Sequence, residues 1–142
     1  MTPVAISRWF EFMEHGRDAV LDDLLAEDVV FYSPAVHTPK HGRGVVASYL
    51  RAAEHLFADT DFRYVATWFA ENSAVLEFVV DLDGVHIEGV DIITWSAEGQ
   101  ITAFKVMVRP LKALQTVMVR MGGVLVDMGV IPPPGNPSPP TE

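Results

Sequence analysis

The chain has 142 residues, no cysteine, 49% hydrophobic and 20% charged residues, and a formal net charge of −9. A single domain of this length buries roughly 70% of its unfolded surface, enough for a core with an internal cavity and no metal or disulfide staple. The missing cysteine excludes a disulfide framework, a thiolate nucleophile and Cys-ligated metal. Ten Lys and Arg against nineteen Asp and Glu argue against a nucleic-acid partner, and no apolar run approaches the ~20 residues of a membrane span. With no charged start and apolar stretch at Met1 to Ile6, a soluble, cytoplasmic chain is expected.

Ile6, Trp9, Phe10 and Met13 recur at helical spacing, which predicts a helix over the first fifteen residues, stopped at Gly16. A second helix is predicted over 17–26, with Val20, Leu21, Leu24 and Leu25 on one face. A short strand over Val29 to Ser33 follows, ended by Pro34, and Ala35 to Gly44 reads as loop. Val45, Val46, Tyr49, Leu50, Ala53, Leu56 and Phe57 then predict a third helix up to about Ala58.

From Asp61 the pattern turns to four extended stretches, 61–70, 73–82, 85–96 and 100–109, an antiparallel meander. Pro110 opens a last helix carrying Leu111, Leu114, Met118 and Met121, with Gly122-Gly123 as its stop. Residues 1–128 make the expected domain. Six prolines between Pro132 and Pro140 mark 129–142 as a tail expected to be disordered.

Asp83-Gly84 is the strongest turn signal, because a two-residue hairpin loop needs positive φ at both positions. It fixes a register of Leu82 with Val85, Val80 with Ile87, Phe78 with Gly89 and Leu76 with Asp91, all on one face. That face is apolar except for Asp91; Glu77, Asp81, His86 and Glu88 lie on the other. A carboxyl stripped of water in this way stays protonated and donates a hydrogen bond, unless a cation such as Lys105 or Arg109 pairs with it. Gly89 either leaves room for a ligand beside the carboxyl or marks a β-bulge.

The order of helices and long strands, with Gly89-Val90-Asp91-Ile92-Ile93-Thr94-Trp95 followed by Gly99-Gln100-Ile101, resembles the nuclear transport factor 2-like superfamily over about residues 4–121. That group includes ketosteroid isomerase, limonene epoxide hydrolase and SnoaL-like polyketide cyclases. The resemblance implies an α+β cone, cystatin-like, in which a curved antiparallel sheet wraps the N-terminal helices around an apolar pocket, often in a dimer. It puts Asp91 in the place of the isomerase's oxyanion-hole acid, a carboxyl kept neutral by its apolar site. Trp9 falls on the partner tyrosine, and Ser33 on the general-base aspartate. The epoxide hydrolase Arg-x-Asp reads Gly89-Val90-Asp91, and its second acid falls near Val106.

Three residues stand as catalytic candidates: Asp91 and Trp9 as donors to a carbonyl oxygen, and His37, just after Ser33, as a base near neutral pH. His37 as a solvated loop residue is the alternative. Ser33, Phe31, Phe12, Phe78, Val80, Gly89, Ile93, Phe104, Val106 and Trp68 are the candidate ligand-binding set. On the last strand Phe104, Val106 and Val108 are expected inward and Lys105, Met107 and Arg109 outward. With Pro39 between them, His37 and His41 do not share a helix, so no zinc site is expected and no cofactor is implied. The expected ligand is a small hydrophobic, carbonyl-bearing molecule of steroid or polyketide type, with non-catalytic binding or a protein-interaction role as the alternative. Val79, Val90, Ile92 and Met107 make the outer face apolar enough for a homodimer, unless Val124 to Ile131 cover it.

Overall fold

In the computed structural model, which describes residues 1–133, Asp83 and Gly84 have φ of 54° and 76°. The hairpin between β4 (Ser73–Leu82) and β5 (Val85–Trp95) pairs Leu82 with Val85, Phe78 with Gly89 and Leu76 with Asp91, as the turn dictates. β3 (Arg63–Phe69) and β6 (Ile101–Arg109) flank this hairpin antiparallel. β1 (Leu25–Tyr32) joins the other edge of β6 in parallel, and β2 (Lys40–His41) closes the order β2-β1-β6-β5-β4-β3. The sheet is curved and unclosed.

Four helices accompany it among the described residues: α1 (Val4–His15), α2 (Asp18–Leu24), α3 (Arg43–Phe57) and α4 (Leu111–Asp127). Gly16, at φ 67°, ends α1. The apolar face of α1 (Ile6, Trp9, Phe12) meets Leu21, Leu24, Leu50, Leu76, Ile93 and Phe104 in one core cluster. A second cluster, Leu56, Phe78, Val80, Leu82 and Ile87, is covered by Ala113 and Val117 of α4. Asp91 lies on the strand between the two.

Several expected boundaries shift for identifiable reasons. α2 stops at Leu24 instead of 26, because Leu25 is already extended, pairs with Ile101 and accepts a hydrogen bond from Arg43 Nε at 3.0 Å. The loop over 35–44 contains β2 and yields to α3 at Arg43. α4 runs through Gly122-Gly123 to Asp127, since Leu125 is buried and Val124 packs on the second cluster, offsetting the ~1 kcal/mol that each helical glycine costs. Val124 is thus drawn to the concave side and away from the outer face of the sheet. Gly129 and Val130 donate hydrogen bonds to the carbonyls of Val126 and Leu125, so the chain stays tied to α4 past residue 128. The tail expected over 129–142 lies outside the described residues from 134 onward. Among the described residues no helix is long and apolar enough to cross a membrane.

Candidate active site

Asp91 is the only buried charged or polar residue of the described chain, 5% exposed. Neither cation considered for it is its partner. Arg109 pairs with Glu88 at 2.7 Å, and the Lys105 ammonium lies 5.0 Å from the centre of the Tyr32 ring. Instead the Tyr64 hydroxyl donates to Asp91 Oδ2 at 2.5 Å, and Trp9 Nε1 donates to the Tyr64 hydroxyl at 2.9 Å. The result is a chain of three groups, indole to phenol to carboxyl, drawn from α1, β3 and β5.

Burial pushes the Asp91 carboxyl up to about 7, and the hydrogen bond from Tyr64 opposes that rise. Burial and the neighbouring Asp91 push the Tyr64 phenol well above its ordinary value, so it stays a neutral donor. A half-protonated carboxyl near pH 7 can offer a proton to an acceptor on its free side, where an apolar cavity of about 80 Å³ begins. Of the residues put forward from the sequence, Phe31, Phe78, Phe104 and Val106 line that cavity with Trp9 and Asp91. Met13, Pro34, Tyr49, Phe57, Phe62 and Met121 complete much of the wall.

Other expected site residues stand elsewhere. Phe12, Val80 and Ile93 are fully buried in the two clusters and are not part of the cavity wall. Gly89 leaves no room for a ligand and marks no bulge. Its pairing with Phe78 and Val108 is continuous, and a Cβ there would stand 2.3 Å from Phe78 Cζ and 2.7 Å from the Met107 carbonyl. The glycine accommodates the phenylalanine ring.

Trp68 lies on the convex face of the sheet, 57% exposed, outside the cavity. A register shift between Tyr64 and Ala66 is the reason: Tyr64 opposes the inward Phe78, whereas Trp68 opposes the outward Val75. One extra residue exchanges the two faces of a strand. Tyr64 shares the parity of Trp68, so unbroken alternation puts both inward; only Tyr64, before the shift, stays there. Its sequence signal is that shared parity on the extended stretch 61–70.

Ser33 and His37 line an open groove of about 620 Å³ outside the cavity, and His37 is exposed. The Ser33 hydroxyl accepts a hydrogen bond from the Ala35 amide at 3.2 Å. Groove and cavity share Pro34, Val106 and Val108. On β6, Phe104 is buried and Val106 and Val108 face the cavity, while Met107 is 52% exposed, the parity expected. Among the described residues no three His, Asp or Glu side chains gather as metal ligands would.

Comparison with known proteins places this geometry. The pattern of the SnoaL-like domain matches residues 6–104. A steroid delta-isomerase from Pseudomonas aeruginosa is 30% identical, covers 89% of this chain and 93% of its own, and superposes with a TM-score of 0.82. An uncharacterised protein with a cystatin-like fold from Silicibacter pomeroyi is also 30% identical, covering 87% and 86%, with a TM-score of 0.79. The epoxide hydrolase/cyclase-like enzyme SalBIII shares the fold at 15% identity, 74% and 88% coverage and a TM-score of 0.59. Comparison with the curated proteins finds no match. The chain belongs to the SnoaL-like domain family, within the nuclear transport factor 2-like superfamily.

Proposed function

We propose that this domain binds a small apolar molecule bearing a carbonyl group, and that protonated Asp91 donates a hydrogen bond to the carbonyl oxygen. The observation that carries the reading is Asp91 itself, a carboxyl in the wall of an apolar cavity whose one polar partner is the phenol of Tyr64. With Oδ2 accepting from Tyr64, Oδ1 is the oxygen free to present the acid proton to a ligand. Trp9 supports this arrangement from behind, since its single N–H is engaged by Tyr64. The 30% identity to a steroid delta-isomerase supports isomerase- or cyclase-type chemistry, in which such a hydrogen bond stabilises negative charge growing on the oxygen.

Turnover also requires a base. Ser33 stands where the family resemblance implies an aspartate, and its hydroxyl is occupied by the Ala35 amide. In a catalytic cycle His37, on the adjoining groove, or a water takes the proton. Binding without turnover is the second reading, favoured by that serine. No cofactor enters either reading.

Cyclohexanone, titrated against the intrinsic tryptophan fluorescence of the protein, tests the proposal. Affinity falls as pH rises from about 5 to about 9, with a midpoint near the Asp91 value of about 7. Asp91→Asn removes the pH dependence and Asp91→Ala weakens binding at every pH. An affinity that is flat across this range in the wild-type protein overturns the reading.

A further inference from the structure

The cavity beside Asp91, at about 80 Å³, holds only a handful of non-hydrogen atoms, against the ~300–1,000 Å³ of sites that enclose a whole ligand. A molecule bound there extends beyond it. The way out is marked by Pro34, Val106 and Val108, which belong to both the cavity and the 620 Å³ groove.

The groove follows from the sheet. β1 pairs with β6 as far as Tyr32 opposite Lys105 and then turns away at Ser33-Pro34. From Val106 onward β6 has no strand on that side among the described residues. Lys105 and Met107 point to the convex side of this bare edge and Val106 and Val108 to the concave side, so the groove wraps around it. Val36 and Pro39 add apolar wall.

Its electrostatics differ from those of the rest of the molecule. In a chain of net charge −9, Lys105 is the groove's one formally charged side chain, and no acid lines it. The Lys105 ammonium forms no salt bridge among the described residues and is held over the Tyr32 ring. Lys105 is exposed, and a cation stacked on an aromatic ring beside an apolar channel is matched by an apolar molecule that ends in an anion.

We infer that the ligand is an amphipathic oxo acid, its carbonyl end in the cavity at Asp91 and its anionic end in the groove at Lys105. The inference rests on the carbonyl-binding reading of Asp91 and adds a second recognition point to it.

The test uses two probes: the oxodecanoic acid whose ketone lies next to the chain end remote from the carboxylate, and the methyl ester of that acid. Calorimetric titration is carried out with the wild-type protein, Lys105→Gln and Asp91→Asn. The acid binds the wild type about fivefold more tightly than the ester, an advantage that shrinks with added salt and vanishes in Lys105→Gln, while ester affinity is unchanged there. Equal affinity for acid and ester, or equal weakening of both by Lys105→Gln, overturns the inference and leaves the cavity reading standing. A preference for the acid that persists while Asp91→Asn alters the binding of neither probe overturns the cavity reading instead. Failure of both probes to bind overturns both. Sedimentation of Lys105→Gln completes the test: a shift in oligomeric state makes the groove a subunit contact and also overturns the inference.

Discussion

Asp91 shows how one buried carboxyl ties stability to pH. Its folded value of about 7 lies above the ordinary carboxylate range, so below about pH 4 it is protonated in both folded and unfolded chains and costs nothing extra. Between about pH 4 and about pH 7 the unfolded chain releases this proton and the folded chain holds it, so stability falls by up to ~1.4 kcal/mol per pH unit, and above about 7 the loss levels off. Urea unfolding of the wild type and Asp91→Asn across this window should show the wild type losing stability relative to the variant as pH rises, the difference flattening above about pH 7. Tyr64→Phe removes the one hydrogen bond that favours the ionised form. The variant should move the flattening point to higher pH and lose about 2 kcal/mol, because it leaves the Trp9 N–H and Asp91 Oδ2 without their partner. Asp91 was legible in the sequence because an Asp-Gly turn fixes register over many residues. Tyr64 was not, because its hydroxyl gains a role only when the fold brings Trp9 and Asp91 to it from other elements, and the bulge beyond it sends Trp68, of the same parity, outward.

At the level of elements, periodicity located the helices and strands, and tertiary burial decided where they end. Gly122-Gly123 carries the composition of a helix stop, yet α4 continues for four residues because Leu125 and Val124 gain a core beyond the glycines. Nothing lies within 4 Å of a Cβ added at either glycine, so neither is required by packing. Gly122→Ala and Gly123→Ala should each stabilise the protein by roughly 0.5–1 kcal/mol, read as an upward shift of the thermal midpoint with cavity binding unchanged. Gly89 is the opposite case. There the neighbouring Phe78 ring and Met107 carbonyl exclude any side chain, a close approach that the pairing register implies in position but not in distance.

At the scale of the whole molecule, no helix among the described residues packs on the convex face of the sheet. Register aligns Trp68, Val75 and Ile92 in one row and Val90 with Met107 in the next, and Trp68 and Met107 are each more than half exposed. α4 packs on the concave side and leaves this face uncovered. We propose that a second copy covers its β3 and β4 side, around Trp68 and Val75, and leaves the groove at β6 open. Two chains of charge −9 repel each other, so the association should tighten as salt is added, opposite to the behaviour of an ion-paired contact. The thermal midpoint should also rise with protein concentration, as it does when the associated state is the stable one. Trp68→Glu places one more negative charge in that patch on each copy. It should give a monomer whose thermal midpoint no longer depends on concentration, with cavity and groove intact because Trp68 is part of neither wall. Sedimentation velocity at several salt concentrations decides: a wild-type chain that is monomeric throughout, or a Trp68→Glu variant that still dimerises, removes this face as the interface.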